Sequence, residues 1–167
     1  MKTKLKLVLH PVKSLHQLSE PVLKFDQELK ELAAEMGQAM YDFEGVGLAA
    51  PQIGKNIRLI AVTDGQSGYK IYVNPEITFR SKDKVDMSEE GCLSVPGVFG
   101  FVPRAYKIRL RYQDLDGKKH KAKAKGMEAI ILQHEVDHLQ GTLFIDKVAK
   151  IFEGQEILDK MERARQA

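Results

Sequence analysis

The 167-residue sequence has one cysteine, Cys92, and no tryptophan. A lone cysteine excludes an intramolecular disulfide, and with it the small disulfide-stapled secreted scaffolds. No apolar run approaches the ~20 residues of a membrane-spanning helix. The opening from Met1 to His10 is basic, but Lys6 interrupts the apolar stretch that a signal peptide needs, and His10-Pro11 closes it. No internal repeat, low-complexity stretch or linker divides the chain. Charge of one sign is also scarce: 26 Lys and Arg against 23 Asp and Glu leave a net +3. That is too mild for a dedicated nucleic-acid binder. The expectation is one cytoplasmic domain over 1–167, with Cys92 reduced.

What is present reads as an α+β domain. Leu29, Leu32, Ala33, Met36, Met40 and Phe43 recur at helical spacing after a candidate N-cap, Asp26. This predicts a helix from Asp26 to about Phe43, ended by Gly45. Strands are expected over 57–63, 69–74 and 76–81, the last two broken at Asn74-Pro75. Ile108, Leu110 and Tyr112 alternate with Arg109 and Arg111, and Asp116-Gly117 turns the chain toward a partner strand over 119–125. Two further helices are predicted over 127–140 and 148–165. The expected fold class is antiparallel strands packed around a central metal-binding helix, with N-terminal and C-terminal helices.

Between Arg104 and Lys125 stand nine Lys or Arg and two Asp. Contact with RNA is one reading of this run. The other, which the absence of interleaved aromatics favours, is a solvated strand pair whose lysines blunt a sheet edge.

The strongest chemical signal is His134-Glu135-Val136-Asp137-His138. Histidines at i and i+4 lie one above the other on a helix and can share a metal ion, and a glutamate after the first can serve as a base. Met127, Ile130 and Ile131 precede them on nearly the same face, so that face is expected to point inward. A catalytic metal usually keeps three protein ligands and an open position. The extended protease pattern places a third histidine six residues beyond the second, where this chain has Phe144. Glu153, Glu156 and Glu162 leave a zinc endopeptidase open, and a non-enzymatic metal-stabilised domain is also open. The other candidate ligand is Cys92, in Glu89-Glu90-Gly91-Cys92-Leu93-Ser94. A third segment, Gly45-Val46-Gly47-Leu48-Ala49-Ala50-Pro51-Gln52-Ile53-Gly54, fits neither a helix nor a regular strand. Gln52 is its one polar group able to donate into a site.

Together, Gly45 to Gln52, Glu90 to Ser94 and Gln133 to Gly141 resemble, in order, the three motifs of the bacterial peptide deformylase family. The resemblance covers nearly the whole chain. It departs at Val12-Lys13, where many relatives carry an acidic residue, and in the Gly-rich Gly97 to Phe101. It implies hydrolysis of the N-formyl group from the formyl-methionine of new polypeptides, releasing formate. By that resemblance Cys92, His134 and His138 are the metal ligands and Glu135 the general acid/base. Gln52 and the Leu93 N–H are the oxyanion donors. Val46, Gly47 and Gly91 hold the substrate peptide as an added strand. Ile130 and Ile131 are candidates for lining the methionine pocket. Glu90 and Arg104 look like a structural pair behind the site, the alternative being two unrelated surface charges, and Asp137 is expected either to support the ligating histidines or to be structural. The implied metal is Fe2+, with Zn2+, Ni2+ or Co2+ able to substitute. The implied partners are N-formyl-Met peptides of nascent chains, with ribosome contact implied only by that substrate. Nothing demands a dimer, so a monomer is expected.

Overall fold

In the computed structural model, which describes residues 3–166 and only the backbone of Asp86 and Met87, the named strands pair antiparallel in two sheets. Met1 and Lys2 of the basic opening, and Ala167, lie outside the described residues. The elements are α1 (Gln27–Asp42), β1 (Gly47–Ala49), β2 (Leu59–Thr63), β3 (Tyr69–Arg80), β4 (Lys84–Cys92), β5 (Val95–Ala105), β6 (Lys107–Gln113), β7 (Lys119–Lys125), α2 (Gly126–Leu139), β8 (Lys150–Glu153) and α3 (Gln155–Gln166). One sheet has the order β1-β2-β3-β6-β7 and the other β4-β5-β8. The fold class is α+β.

The larger sheet is covered by a different helix on each face. Ile60, Val62 and Tyr72 join Ile108 and Leu110 against Leu132, Val136 and Leu139 of α2. Leu59, Ala61 and Val73 pack the other way, with Leu48, against Met36 and Met40 of α1. Strand β2 is thus buried on both faces, which is why its sequence reads as an unbroken apolar run rather than an alternation. Beyond β3 only the α2 face is covered, and β6 and β7 alternate buried and exposed residues. A third cluster, of Leu15, Val95, Val98, Val102, Leu143 and Phe144, fills the space beside the smaller sheet.

Helix α1 begins as the spacing predicts, with the Asp26 carboxylate accepting from the Leu29 N–H at 3.1 Å. Its end differs. Glu44, not Gly45, takes the left-handed turn at φ 60°, while the Gly45 N–H donates to the Met40 carbonyl at 2.8 Å. The expected break at Asn74-Pro75 is instead a bulge inside one continuous strand. The missing N–H of Pro75 is harmless at a position where the ladder shifts register. The chain expected to be irregular from Gly45 to Gly54 contains β1 and a 3₁₀ turn over Ala50–Ile53. The hairpin of β4 and β5 was not foreseen, because its polar and glycine-rich strands carry no clear period. The predicted helix over 148–165 is two elements: β8 pairs with β5 before α3 starts, and Gly154 at φ 82° makes the corner. A Cβ on Gly154 would lie 2.0 Å from the Gly97 carbonyl oxygen.

Asn74, at φ 50°, anchors the bulge. Its Oδ1 accepts from the Val22 N–H at 2.8 Å, and its amide donates to the Val22 carbonyl at 2.9 Å and to Gln113 Oε1 at 2.8 Å. Three bonds worth about 1 kcal/mol each predict that Asn74→Ala lowers the unfolding free energy by about 2–3 kcal/mol in urea titration. A loss under about 0.5 kcal/mol would show that the side chain does not secure this joint.

Candidate metal centre

Helix α2 runs beneath the larger sheet and presents His134 and His138 one turn apart, ring centroids 5.1 Å apart. Cys92, the last residue of β4, comes from the other sheet and brings Sγ to 3.4 Å from His138 Nε2. A register shift between Gly91 and Cys92 turns the cysteine out of the regular ladder. One donor atom from each of Cys92, His134 and His138 lies within 4.8 Å of the others. No carboxylate of the C-terminal segment joins this group among the described residues. Glu162 accepts instead from, or shares a proton with, His10 Nε2 at 2.7 Å. One sulfur and two imidazoles form a donor set suited to a divalent transition metal.

Behind the donors lies a buried ionic network. Arg104 makes two parallel bonds to Glu90, from Nε to Oε2 at 2.7 Å and from Nη2 to Oε1 at 2.8 Å. Its Nη1 donates to Asp137 Oδ2 at 2.6 Å. All three side chains are at most 7 % exposed. Burial works against the Glu90 charge, but the Arg104 guanidinium and His134 outweigh it and hold the carboxyl below its usual range. Burial likewise opposes the Arg104 charge, and Glu90 and Asp137 more than offset it. Glu90 Oε1 also lies 2.8 Å from His134 Nδ1, which fixes that ring and frees its Nε2 toward the cluster. Of the two roles expected for Asp137 it takes the structural one, and Glu90 is the partner of His134. Asp137 serves Arg104 and, through Oδ1, Lys147 at 2.8 Å.

Glu135 stands beside the donors, buried. Its Oε2 has no hydrogen-bond partner among the described residues. Burial pushes its carboxyl up to about 7, opposed by His134. Across from it is Gly47 of β1, where a Cβ would come within 2.4 Å of Glu135 Oε1. Only glycine lets the strand pass this close. Gln52 is buried, with Oε1 accepting from the Ala49 N–H at 2.9 Å and Nε2 directed to Ser94 Oγ at 3.2 Å and Cys92 Sγ at 3.5 Å. The amide is thereby locked with its donor end toward the cluster.

A cavity of about 590 Å³ opens onto these groups. Val46, Gly47, Gly91 and Leu93 border it with Gln52 and Cys92, and Ile130 and Ile131 line its apolar side. Val46 is 56 % exposed at the rim. Met127 departs from expectation: it lines the cavity but is 69 % exposed rather than inward, because it sits in the first turn of α2, ahead of the packed part of the helix. Three supporting residues had no role in the sequence reading. Ser94 receives the Gln52 amide, Gln133 bonds both Ala105 backbone groups across to β5, and Phe144 stacks on His134. Ser94 and Gln133 stand inside the quoted motifs, so proximity was the available signal. Phe144 was noticed only as a histidine that is missing.

The family model for polypeptide deformylase matches residues 4–153. A protein named peptide deformylase from Afipia carboxidovorans is 43% identical over 145 residues, covering 84% of each chain. Another of that name, from Bradyrhizobium diazoefficiens, is 38% identical over 166 residues, covering 95% of this chain and 94% of its own. Among solved structures, a peptide deformylase from Synechococcus elongatus in complex with actinonin superposes with a TM-score of 0.88 at 38% identity, over 95% of this chain and 88% of that one.

Removing Arg104 would leave two buried carboxylates without their guanidinium, Glu90 keeping only His134 and Asp137 only Lys147. Arg104→Leu is expected to cost about 3–5 kcal/mol in chemical denaturation. A loss below about 1 kcal/mol would mean that the pair is not what joins β4, β5 and α2.

Proposed function

The chain belongs to the polypeptide deformylase family, and we propose that Cys92, His134 and His138 hold its divalent metal while Glu135 moves the proton of its reaction. The activity is metal-dependent hydrolysis of the N-formyl group from the formyl-methionine that begins a new polypeptide, with release of formate. The observation that carries the assignment of residues is convergence. Three candidate metal donors, a buried carboxylate whose Oε2 has no partner among the described residues, and an oriented amide meet at one cavity.

Cys92, His134 and His138 would hold the metal, whose Lewis acidity would lower the pKa of a water in the site. Glu135 is the base that takes the water's proton, and a carboxyl titrating near 7 can return it to the departing amine. That return matters, because an amine leaves poorly as an anion. The Gln52 amide and the Leu93 N–H are the donors for the oxyanion, Gln52 being held in place by Ala49 and Ser94. Gly47 lies on an edge strand of the larger sheet, and Gly91 on an edge strand of the smaller one. Edge strands offer unpaired backbone groups to a peptide laid between them. Val46, Gly47 and Gly91 take that role here, and Ile130 and Ile131 take the methionine side chain.

The proposed native metal is Fe2+, for which Zn2+, Ni2+ or Co2+ can substitute. The proposed setting is the cytoplasm, with the protein acting as a monomer on nascent chains as one catalytic domain. No helix is long and apolar enough to cross a membrane among the described residues.

The test is formate release from a formyl-Met tripeptide by protein prepared anaerobically with Fe2+. Glu135→Ala is expected to keep fold and metal and to lose about 10²–10⁴ in kcat. Gln52→Leu is expected to lose about 10²–10³. Cys92→Ser should lose bound metal by elemental analysis, whereas Glu156→Gln should change neither metal nor rate. Folded, metal-loaded wild-type protein that releases no formate would overturn the reading.

A further inference from the structure

Strand register gives the basic run a form that spacing alone does not show. Arg104 is withdrawn from it into the buried network. In β6 and β7 the pairs Lys107↔Lys125, Arg109↔Lys123 and Arg111↔Lys121 lie directly opposite one another, followed by Gln113↔Lys119. All seven cations are exposed, on the face of the sheet that α2 does not cover. Like charges facing each other across a ladder are destabilising. Blunting an edge explains lysines on β7, the outer strand, but not the three cations of β6, which lies between β3 and β7. Among the described residues only Arg111 of the seven has an acid partner, Glu76 at 2.8 Å. At one end Arg111, Lys119 and Lys121 border a concavity of about 800 Å³.

We propose that this ladder is a docking surface for the phosphate backbone of double-helical RNA. Four rows at about 6.8 Å, two strand residues per row, give a charged strip ~20 Å long. Such a strip meets regularly spaced anions, not a single small one. Of the exposed aromatics around it, Phe79 has the Arg109 guanidinium 5.0 Å from its ring centre, Tyr106 has Lys107 Nζ 6.0 Å from its own, and Tyr69 lies on the part of β3 beyond its pairing with β6, so no row of free rings offers a base-stacking platform. Phosphates are therefore what it reads, as proteins read duplex RNA largely by shape. The choice of RNA over DNA rests on the proposed function, whose substrates are newly made chains. The α2 side and its cavity stay open while the opposite face is occupied.

The experiment measures anisotropy of a fluorescein-labelled RNA hairpin with the full-length protein between 50 and 200 mM salt, on the order of the range where phosphate contacts are revealed. Saturable binding is expected, with log K falling against log salt at about −0.9 per phosphate engaged, so a slope of about −4 for four rows. Arg109→Glu with Lys123→Glu should weaken it at least ~10-fold and flatten the slope. Lys24→Glu with Lys160→Glu, the same charge change away from the ladder, should weaken it less than ~3-fold. Formate release should be unchanged in both variants, which reports the fold and separates this test from that of the active site. Equal weakening by the two double variants, or no saturable binding at the lowest salt, would overturn the proposal. So would a DNA duplex binding more tightly than the RNA, or poly-glutamate displacing the RNA at equal charge.

Discussion

The Arg104 guanidinium is the interaction on which the rest of the site depends. It lies on β5, and it grips Glu90 on β4 and Asp137 on α2. Those partners are neighbours of the candidate metal donors in sequence: Glu90 is two residues before Cys92, and Asp137 one before His138. One side chain therefore sets the distance between a strand of the smaller sheet and a helix of the larger one. Glu90 extends the constraint by holding His134 at its far nitrogen. Taking three charges out of water is expensive, and an apolar trio of the same shape often gives equal stability. What an apolar trio would not provide is a fixed angle for the imidazole and a fixed reach for the thiolate. We read the network as geometry retained at some energetic cost.

The two sheets divide the labour. The larger sheet, packed on both faces over β1 to β3, is the rigid frame. It carries α2 on one side and α1 on the other. The smaller sheet delivers Cys92 and Gly91 and has its own apolar cluster. The cavity lies where an edge of each sheet comes near the other. Gln52 completes it from a 3₁₀ turn directly after β1, so the strand that borders the cavity also aims the amide. The Cβ-free path at Gly47 then lets Glu135 sit against the backbone.

Much of this was legible in the sequence, for identifiable reasons. His134 and His138 at helical spacing, with Glu135 between them, announce shared chemistry on one helix face. The α1 face and the alternation of β6 follow directly from periodicity. Glu90 and Arg104 were recognisable as a pair, though not as partners of Asp137 and His134 as well. What stayed hidden was long-range. Ile151 fits a helical stripe with Leu158, but pairing with β5 draws it into a strand, and tertiary context overrides the local pattern. Asn74-Pro75 looks like a break because a bulge is defined only by the partner strand. Leu48 and Ala49 look irregular because a three-residue strand has no measurable period. The basic run gives its composition at once, but which cations face which depends on a register that no single strand encodes.

The position of the cavity between two sheet edges has a thermodynamic consequence. A peptide hydrogen-bonded to both edges would add a further tie between the two sheets, beside the Arg104 network. Anything that binds the native state alone raises its stability by mass action, here by about 2.7 kcal/mol at a ligand concentration a hundred times Kd. The folded population would then follow the supply of formylated chains, and the protein would resist heat and proteolysis best when translation is busiest.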